Sequence, residues 1–290
     1  MIQFNRRYRL VISGGGTDGG WEIEDLQIRF QIKKYVNNKD NADTCAIDIF
    51  NLSEDKLALL QQDFPVATFS CGYDDEPTQV FRGEVIPVKT FKSGPDRITR
   101  IDIKPLYSSL NHTLMSALVP DGGSAENAID VVRREVEGLK KGSYSGESLQ
   151  ETVVYGYPLV GTPRQMLDQI CEVYNLEWRI ESDSLYITQG DSVVSEVRAS
   201  APIISQTTGL VDRPEYFNGV DSKSKKDKQK RSGVRFKALI NPQVVPGSLV
   251  KVEYKGKEDF YKVEEVKYSG DYRGNNWYME CICFSRQKEV

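Results

Sequence analysis

Apolar and polar residues alternate along both ends of the chain, and the alternation gives way to helical spacing in the middle. Tyr8 to Ile12 reads as a strand. Between Trp21 and Tyr35, the apolar positions Leu26, Ile28, Phe30 and Ile32 fall on every second residue. That is the period of a half-buried strand. Thr44 to Phe50 continues the pattern. Ser53 can cap a short helix, Glu54 to Gln62, with Glu54 and Asp55 in its first turn and Pro65 ending it. Val66 to Tyr73, Gln79 to Phe91 and Arg97 to Pro105 follow as strands. They are divided by the turns Asp74-Asp75-Glu76-Pro77 and Ser93-Gly94-Pro95-Asp96.

Beyond Tyr107 the period changes. Ser124 is placed to cap a helix whose apolar stripe is Ala125, Ala128, Ile129, Val132, Val136 and Leu139. Lys140 to Gly146 reads as a loop. A second helix starts after Thr162, with Pro163 at its first position and a stripe of Met166, Leu167, Ile170, Cys171 and Tyr174. Glu177 to Ile180 and Ser184 to Thr188 make a hairpin around Ser182-Asp183. From Ser200 the strands return: Gly233 to Ile240, Ser248 to Tyr254, Phe260 to Ser269 and Asn276 to Phe284.

The two β-rich ends can be laid over each other as an internal repeat. Ile47 to Asn51 matches Phe236 to Asn241, and Val66 to Tyr73 matches Leu249 to Tyr254. Phe81 to Val85 matches Tyr261 to Val266, and Arg100 to Ile103 matches Met279 to Ile282. The expected fold is therefore α+β, mainly β. It has a first antiparallel β-barrel over 1–107, a small α+β insert over 108–199 and a second, similar barrel over 200–290. Asn51 and Asn241 are expected at equivalent strand ends. Ile47, Ile49, Val66, Ile101 and Ile103 are expected to form one core, and Phe236, Leu249, Val263 and Val266 the other.

Composition narrows the function classes. Hydrophobic residues make up 39% and charged residues 28% of the 290 positions, the balance of a folded globular chain. The formal net charge of -4 argues against general nucleic-acid binding, which needs a basic footprint. No apolar run approaches the roughly 20 residues of a membrane span. The segment Met1 to Arg7 lacks the apolar core of a signal peptide, so the chain is expected to stay in the cytoplasm where it is made.

Candidate chemistry is sparse. The five cysteines are too few and odd in number for a disulfide framework, and Cys281 and Cys283 read as two buried side chains on one strand face. Gly14 to Gly20 lacks the Gly-Lys-Ser/Thr of a phosphate loop. The single histidine, His112, has no Gly-x-Ser-x-Gly elbow to serve. Glu22, Glu24, Asp48, Asp102 and Glu280 fall mostly on the polar phase of strands, where solvated faces are the default. No catalytic, cofactor-binding or metal-ligating residue is assigned, and no cofactor is expected. Trp21, Trp178 and Trp277 are spaced for core packing rather than for a carbohydrate-stacking surface. Asp221 to Arg231 carries no apolar residue and is expected to be a mobile, exposed excursion. Its Lys223, Lys225, Lys226, Lys228, Lys230 and Arg231 form a possible contact loop for an acidic neighbour.

Several segments together resemble the central baseplate hub proteins of contractile-tailed bacteriophages, which are also related to the base of the type VI secretion spike. They are Ile47-Asp48-Ile49-Phe50-Asn51-Leu52-Ser53, Thr208-Gly209-Leu210-Val211, Leu239-Ile240-Asn241-Pro242 through Pro246-Gly247 to Val250, and Gly270-Asp271 through Gly274 to Trp277. The resemblance covers the two ends well and the middle loosely, and the basic stretch departs from it. It implies a homotrimeric structural component of the tail baseplate, without enzymatic activity. Each chain would place two tube domains around a channel, so that three chains adapt a six-fold tail tube to a three-fold spike. The implied partners are a tube or tube-initiator protein above, a spike below and wedge proteins around. The implied location is the virion, after synthesis in the host cytoplasm, with no membrane and no sequence-specific nucleic acid engaged. The competing class is a tail-associated cell-wall hydrolase or a carbohydrate-binding module.

Overall fold

The computed structural model describes residues 5–13, 20–39, 42–61, 65–73, 77–152, 156–189, 201–220 and 230–285. The first β-rich region comprises β1 (Arg6–Ser13), β2 (Gly20–Ile23), β3 (Ile28–Tyr35), β4 (Thr44–Phe50), α1 (Glu54–Leu60), β5 (Val66–Tyr73), β6 (Thr78–Ser93) and β7 (Asp96–Lys104). The middle holds α2 (Tyr107–Asn111), β8 (Met115–Val119), α3 (Ala125–Glu135), β9 (Lys140–Tyr144), β10 (Tyr157–Gly161), α4 (Pro163–Val173), β11 (Leu176–Glu181) and β12 (Ser184–Gln189). The last region adds β13 (Ile203–Ile204), β14 (Glu215–Val220), β15 (Lys230–Leu239), β16 (Leu249–Tyr254), β17 (Lys257–Asp271) and β18 (Trp277–Ser285).

The two ends do not form two separate closed barrels. Among the described residues they share one open sheet of thirteen strands, in the order β14-β15-β18-β17-β3-β4-β7-β6-β5-β1-β2, with β16 on β17 and β13 on β16. The reason is one antiparallel pairing, β3 on β17, which runs from Tyr35 opposite Glu265 to Arg29 opposite Asp271. Each half thereby covers an edge of the other, and a single apolar core spans both, from Tyr8 and Phe69 to Val234 and Trp277.

Within this sheet the strand order repeats. The first half runs β3-β4-β7-β6-β5-β1, and the second runs β14-β15-β18-β17-β16-β13. The matching pairs also agree in detail. Val66 lies opposite Glu84 as Leu249 lies opposite Lys262, and a bulge follows in both long strands, after Ile86 in β6 and after Val263 in β17. The halves differ at the outer edge, where β1 runs antiparallel to β5 but β13 runs parallel to β16.

Three expectations need correction at residue level. Val66 is only half buried; Ala67, Phe69 and Cys71 carry the inward phase of β5 instead. Asn51 and Asn241 are offset by one. Ile47 pairs with Ile101 as Phe236 pairs with Cys281, so four residues on, Asn51 corresponds to Ile240. Asn51 takes a left-handed φ of 56° and bonds Asp96 and Arg97, whereas the Asn241 side chain accepts from the Gln243 N–H. Finally, Lys140 to Tyr144 is a strand rather than a loop, because it pairs in parallel with β12.

The middle region packs its own core, with Ile129, Val132, Leu167 and Ile170 of α3 and α4 against Trp178, Leu185 and Ile187 of the small sheet. Ser124 caps α3, and Thr162 with Gln165 forms a capping box at α4. Each such cap contributes about 1 kcal/mol.

The Gly270 to Trp277 segment is the tip at which β17 and β18 meet β3. A Cβ on Gly270 would lie 2.3 Å from the Phe30 ring. Phe30 itself packs edge-on against the fully buried Trp277 at 5.2 Å. Gly270→Ala is expected to cost about 2–3 kcal/mol by overpacking this contact. The readout is the midpoint of urea unfolding, and a loss below about 0.5 kcal/mol would mean that the ring moves aside freely.

Candidate assembly interface

The residues that could carry catalysis are engaged elsewhere or stand apart. Glu22 and Glu24 both pair with Arg9, at 2.6 and 2.8 Å, and Asp48 holds Arg100 through two bonds of 2.6 and 2.7 Å. Glu280 faces Lys267 at 3.7 Å, and Asp102 is half buried on β7. His112 is exposed, with its ring edge-on to Tyr107 at 5.3 Å. Cys281 and Cys283 are fully buried, and burial pushes both thiols up, away from the reactive thiolate form. No cluster of three or more His, Cys, Asp or Glu suited to a metal occurs among the described residues. Trp178 and Trp277 belong to different cores, and Trp21 is half buried, with the Lys56 ammonium 5.2 Å from its ring centroid.

Lys223, Lys225, Lys226 and Lys228 lie outside the described residues. Lys230 and Arg231 open β15, opposite Val220 and Gly219. β14 itself was not visible as an alternating segment; it pairs antiparallel with β15.

A polar joint that the sequence did not announce fixes the middle region to the large sheet. Lys34 on β3 reaches Glu181 on β11 at 2.6 Å, and Arg179 also holds Glu181. Lys262 reaches Glu177 at 3.3 Å, and Arg82 reaches Asp183 at 2.6 Å. Asn38 is wedged between the two bodies. Its N–H donates to the Trp178 carbonyl, its side-chain oxygen accepts from the Ile180 N–H, and its amide donates to buried Asp43 at 2.9 Å. Burial pushes the Glu181 carboxyl up, but Lys34 and Arg179 outweigh it and hold the group down at about 2. At Asp43 burial wins over Lys34 and two hydrogen bonds, and the carboxyl is pushed up to about 6.

The surfaces left open are strand edges. Among the described residues, β14 pairs only with β15, and the distal part of β6, Lys89 to Ser93, pairs only with β7. Exposed aromatic side chains sit on both: Tyr216 on β14, 49% exposed, and Phe91 on β6, 42% exposed. The two-stranded sheet of β8 and β10 turns Leu118 and Val160 outward, beside exposed Leu114. Open edges with apolar side chains are what an assembling subunit offers and a monomer avoids. No helix among the described residues is long and apolar enough to cross a membrane.

Comparison of the architecture with solved structures gives a consistent answer. A tail protein from Neisseria meningitidis superposes with a TM-score of 0.67 at 13% identity over 96% of each chain. The fold is that of phage tail proteins. A 43 kDa tail protein of prophage MuSo2 from Shewanella oneidensis gives 0.66 at 10% identity, covering 96% of this chain and 97% of that one. An E. coli component of the type VI secretion system, described as structurally similar to the T4 tail proteins gp27 and gp5, gives 0.69 at 10% identity over 96% of this chain and 77% of its own. No family model and no curated protein sequence matches this chain. The tail-protein fold thus persists here at identities where sequence comparison alone is silent.

The joint makes a pH-dependent prediction. A carboxyl whose folded pKa is raised from 3.8 to about 6 binds its proton more tightly when folded. It therefore costs nothing below about pH 4, and its penalty grows as pH rises to about 6. Asp43→Asn keeps an oxygen for Tyr35 and Asn38 and removes the penalty. The variant should be about 1–3 kcal/mol more stable than the parent at pH 8 and equal to it near pH 4. Urea titrations across that range read the difference, and a gap that does not change with pH would refute the assignment.

Proposed function

We propose that this protein is a structural component of a phage tail baseplate, a homotrimeric central hub that adapts a six-fold tube to a three-fold spike and lines the channel. The observation that carries the reading is the repeated strand order within one chain. A ring closes only if each interface recurs. Three chains that each carry two similar units present six similar surfaces on one face while keeping three-fold symmetry on the other. The tail-protein fold supports the same reading, as does the E. coli secretion component described as similar to gp27 and gp5.

In this proposal, residues 1–107 and 200–290 supply the two tube units, joined through the shared sheet, and 108–199 is the insert braced on their flank. A tube or tube-initiator protein binds above, a spike below and wedge proteins around, and the basic stretch from Lys223 to Arg231 meets an acidic neighbour. The site of action is the virion.

Averaged images of tail tips should show three copies of this chain around an open channel, with both halves of each chain facing it. One or six copies would be incompatible with the reading. The competing hydrolase class predicts release of soluble muropeptides from purified peptidoglycan, abolished by a single acidic substitution. The hub reading predicts no release.

A further inference from the structure

Two charged side chains stand on the buried face of β3 and β4, where the neighbouring positions are apolar. The pairing of these strands runs through Ile32 opposite Cys45 to Lys33 opposite Thr44, so the next residues, Lys34 and Asp43, stand across from each other. Both continue the inward phase of their strands, Lys34 after Phe30 and Ile32 and Asp43 before Cys45 and Ile47, and they are only 5% and 4% exposed. Side chains opposite each other on one face have Cβ atoms about 4.5–5.5 Å apart, a gap that a lysine chain spans. Nζ of Lys34 lies 2.6 Å from Oε1 of Glu181, while Arg179 holds the other oxygen of that carboxylate. At Asp43 the Tyr35 N–H and the Asn38 amide both donate to Oδ1, each at 2.9 Å. The charge of Glu181 also reaches the Asp43 carboxyl. An amine with a carboxylate base beside it, next to a carboxyl with one oxygen gripped by two donors, has the parts of an acyl-transfer site.

We propose that Lys34 and Asp43 condense within the folded chain to a side-chain amide, with Glu181 as the proton carrier. Glu181 takes a proton from the Lys34 ammonium and passes it to Oδ2 of Asp43. The freed amine attacks Cγ of Asp43, and the N–Cγ bond forms. The charge gathered on Oδ1 is held by the Tyr35 N–H and the Asn38 amide. Glu181 then carries a second proton from the nitrogen to Oδ2, the Cγ–Oδ2 bond breaks and water leaves. The carbonyl re-forms at Oδ1. One ammonium and one carboxylate become one amide and one water, and Glu181 ends as it began. A cavity of about 30 Å³, lined by Asn38, Asp43, Arg164 and Trp178 among others, adjoins the carboxyl and has room for that water. Burial favours the step. It already makes the Asp43 carboxyl hold its proton more tightly, and an amide removes the cost of a buried carboxylate while keeping both hydrogen bonds on Oδ1. The pH-dependent penalty at Asp43 belongs to the chain before condensation. The new bond ties β4 to β3, the strand through which the two halves of the sheet are joined.

Mass spectrometry of the full chain tests this. After folding at neutral pH, the intact chain should be lighter than its sequence mass by one water. Trypsin should then release Lys34 to Lys39 joined to Asp40 to Lys56 as one branched peptide, because an acylated Lys34 is not cleaved. Lys34→Arg keeps a cation for Glu181 and should stay at full mass. Glu181→Gln should slow condensation about a hundredfold. The mass of the parent chain decides the proposal whether or not either variant folds. Full mass after long incubation would overturn it. Loss of ammonia, which would make Asn38 the acyl donor, would overturn it too. So would loss of water without the branched peptide, the mark of a succinimide at an aspartate. Condensation of Glu181→Gln at the parent rate would overturn the role given to Glu181.

Discussion

Between Tyr35 and Arg29 on β3, and between Glu265 and Asp271 on β17, two distant parts of the chain exchange backbone hydrogen bonds along a shared edge. Strand edges left bare are open to any passing chain, so each repeat half needs a cover. Here each supplies it to the other. The side chains agree with the backbone. Phe30 fits against Gly270, where no Cβ intervenes, and against the Trp277 ring, while Asp271 ties the same tip to Gln27 and Arg29. Without this pairing the molecule would be two small sheets with separate, thinner cores.

The middle region is attached by a different kind of interaction. Its own core is complete, so its hold on the sheet is mostly polar: Lys34 and Arg179 on Glu181, Lys262 on Glu177, and Asn38 bridging Asp43 to the backbone of β11. Half-buried ion pairs contribute little net stability against an apolar alternative, but breaking one leaves an uncompensated charge. Such a joint fixes orientation more than it adds stability. Asp43, carried into it at the cost of a raised pKa, is the part that opposes folding at neutral pH.

One sheet contains the same strand order twice, with an internal joint between the copies where β3 lies on β17. Tyr216 and Phe91 stand exposed on strands with an open edge, and the Arg100 guanidinium lies 5.9 Å from the Phe91 ring centroid.

The amino-acid sequence by itself determined what depends on neighbours a few residues away. Period-two alternation marked β3, β4, β7 and most of the long strands, Ser124 and Thr162 marked the helix starts, and the Asn and Gly turns marked the hairpins. It also disclosed the repeat, because both copies keep similar strands in similar order, and the likeness to tail hubs. It placed Asn51 against Asn241 one residue out of step, since a bulge or a single insertion is invisible to pattern matching. Tertiary structure decided everything set by distant partners. β9 is a strand only because β12 lies beside it, and β14 only because β15 does. Lys34 and Glu181 are 147 residues apart, and nothing local marks them as partners. Whether two repeats close as separate barrels or merge into one sheet turns on which free edges meet first and best, and alternation is identical in both outcomes. The pairing of β3 with β17, with Phe30 packed against Gly270 and Trp277, holds the merged sheet together.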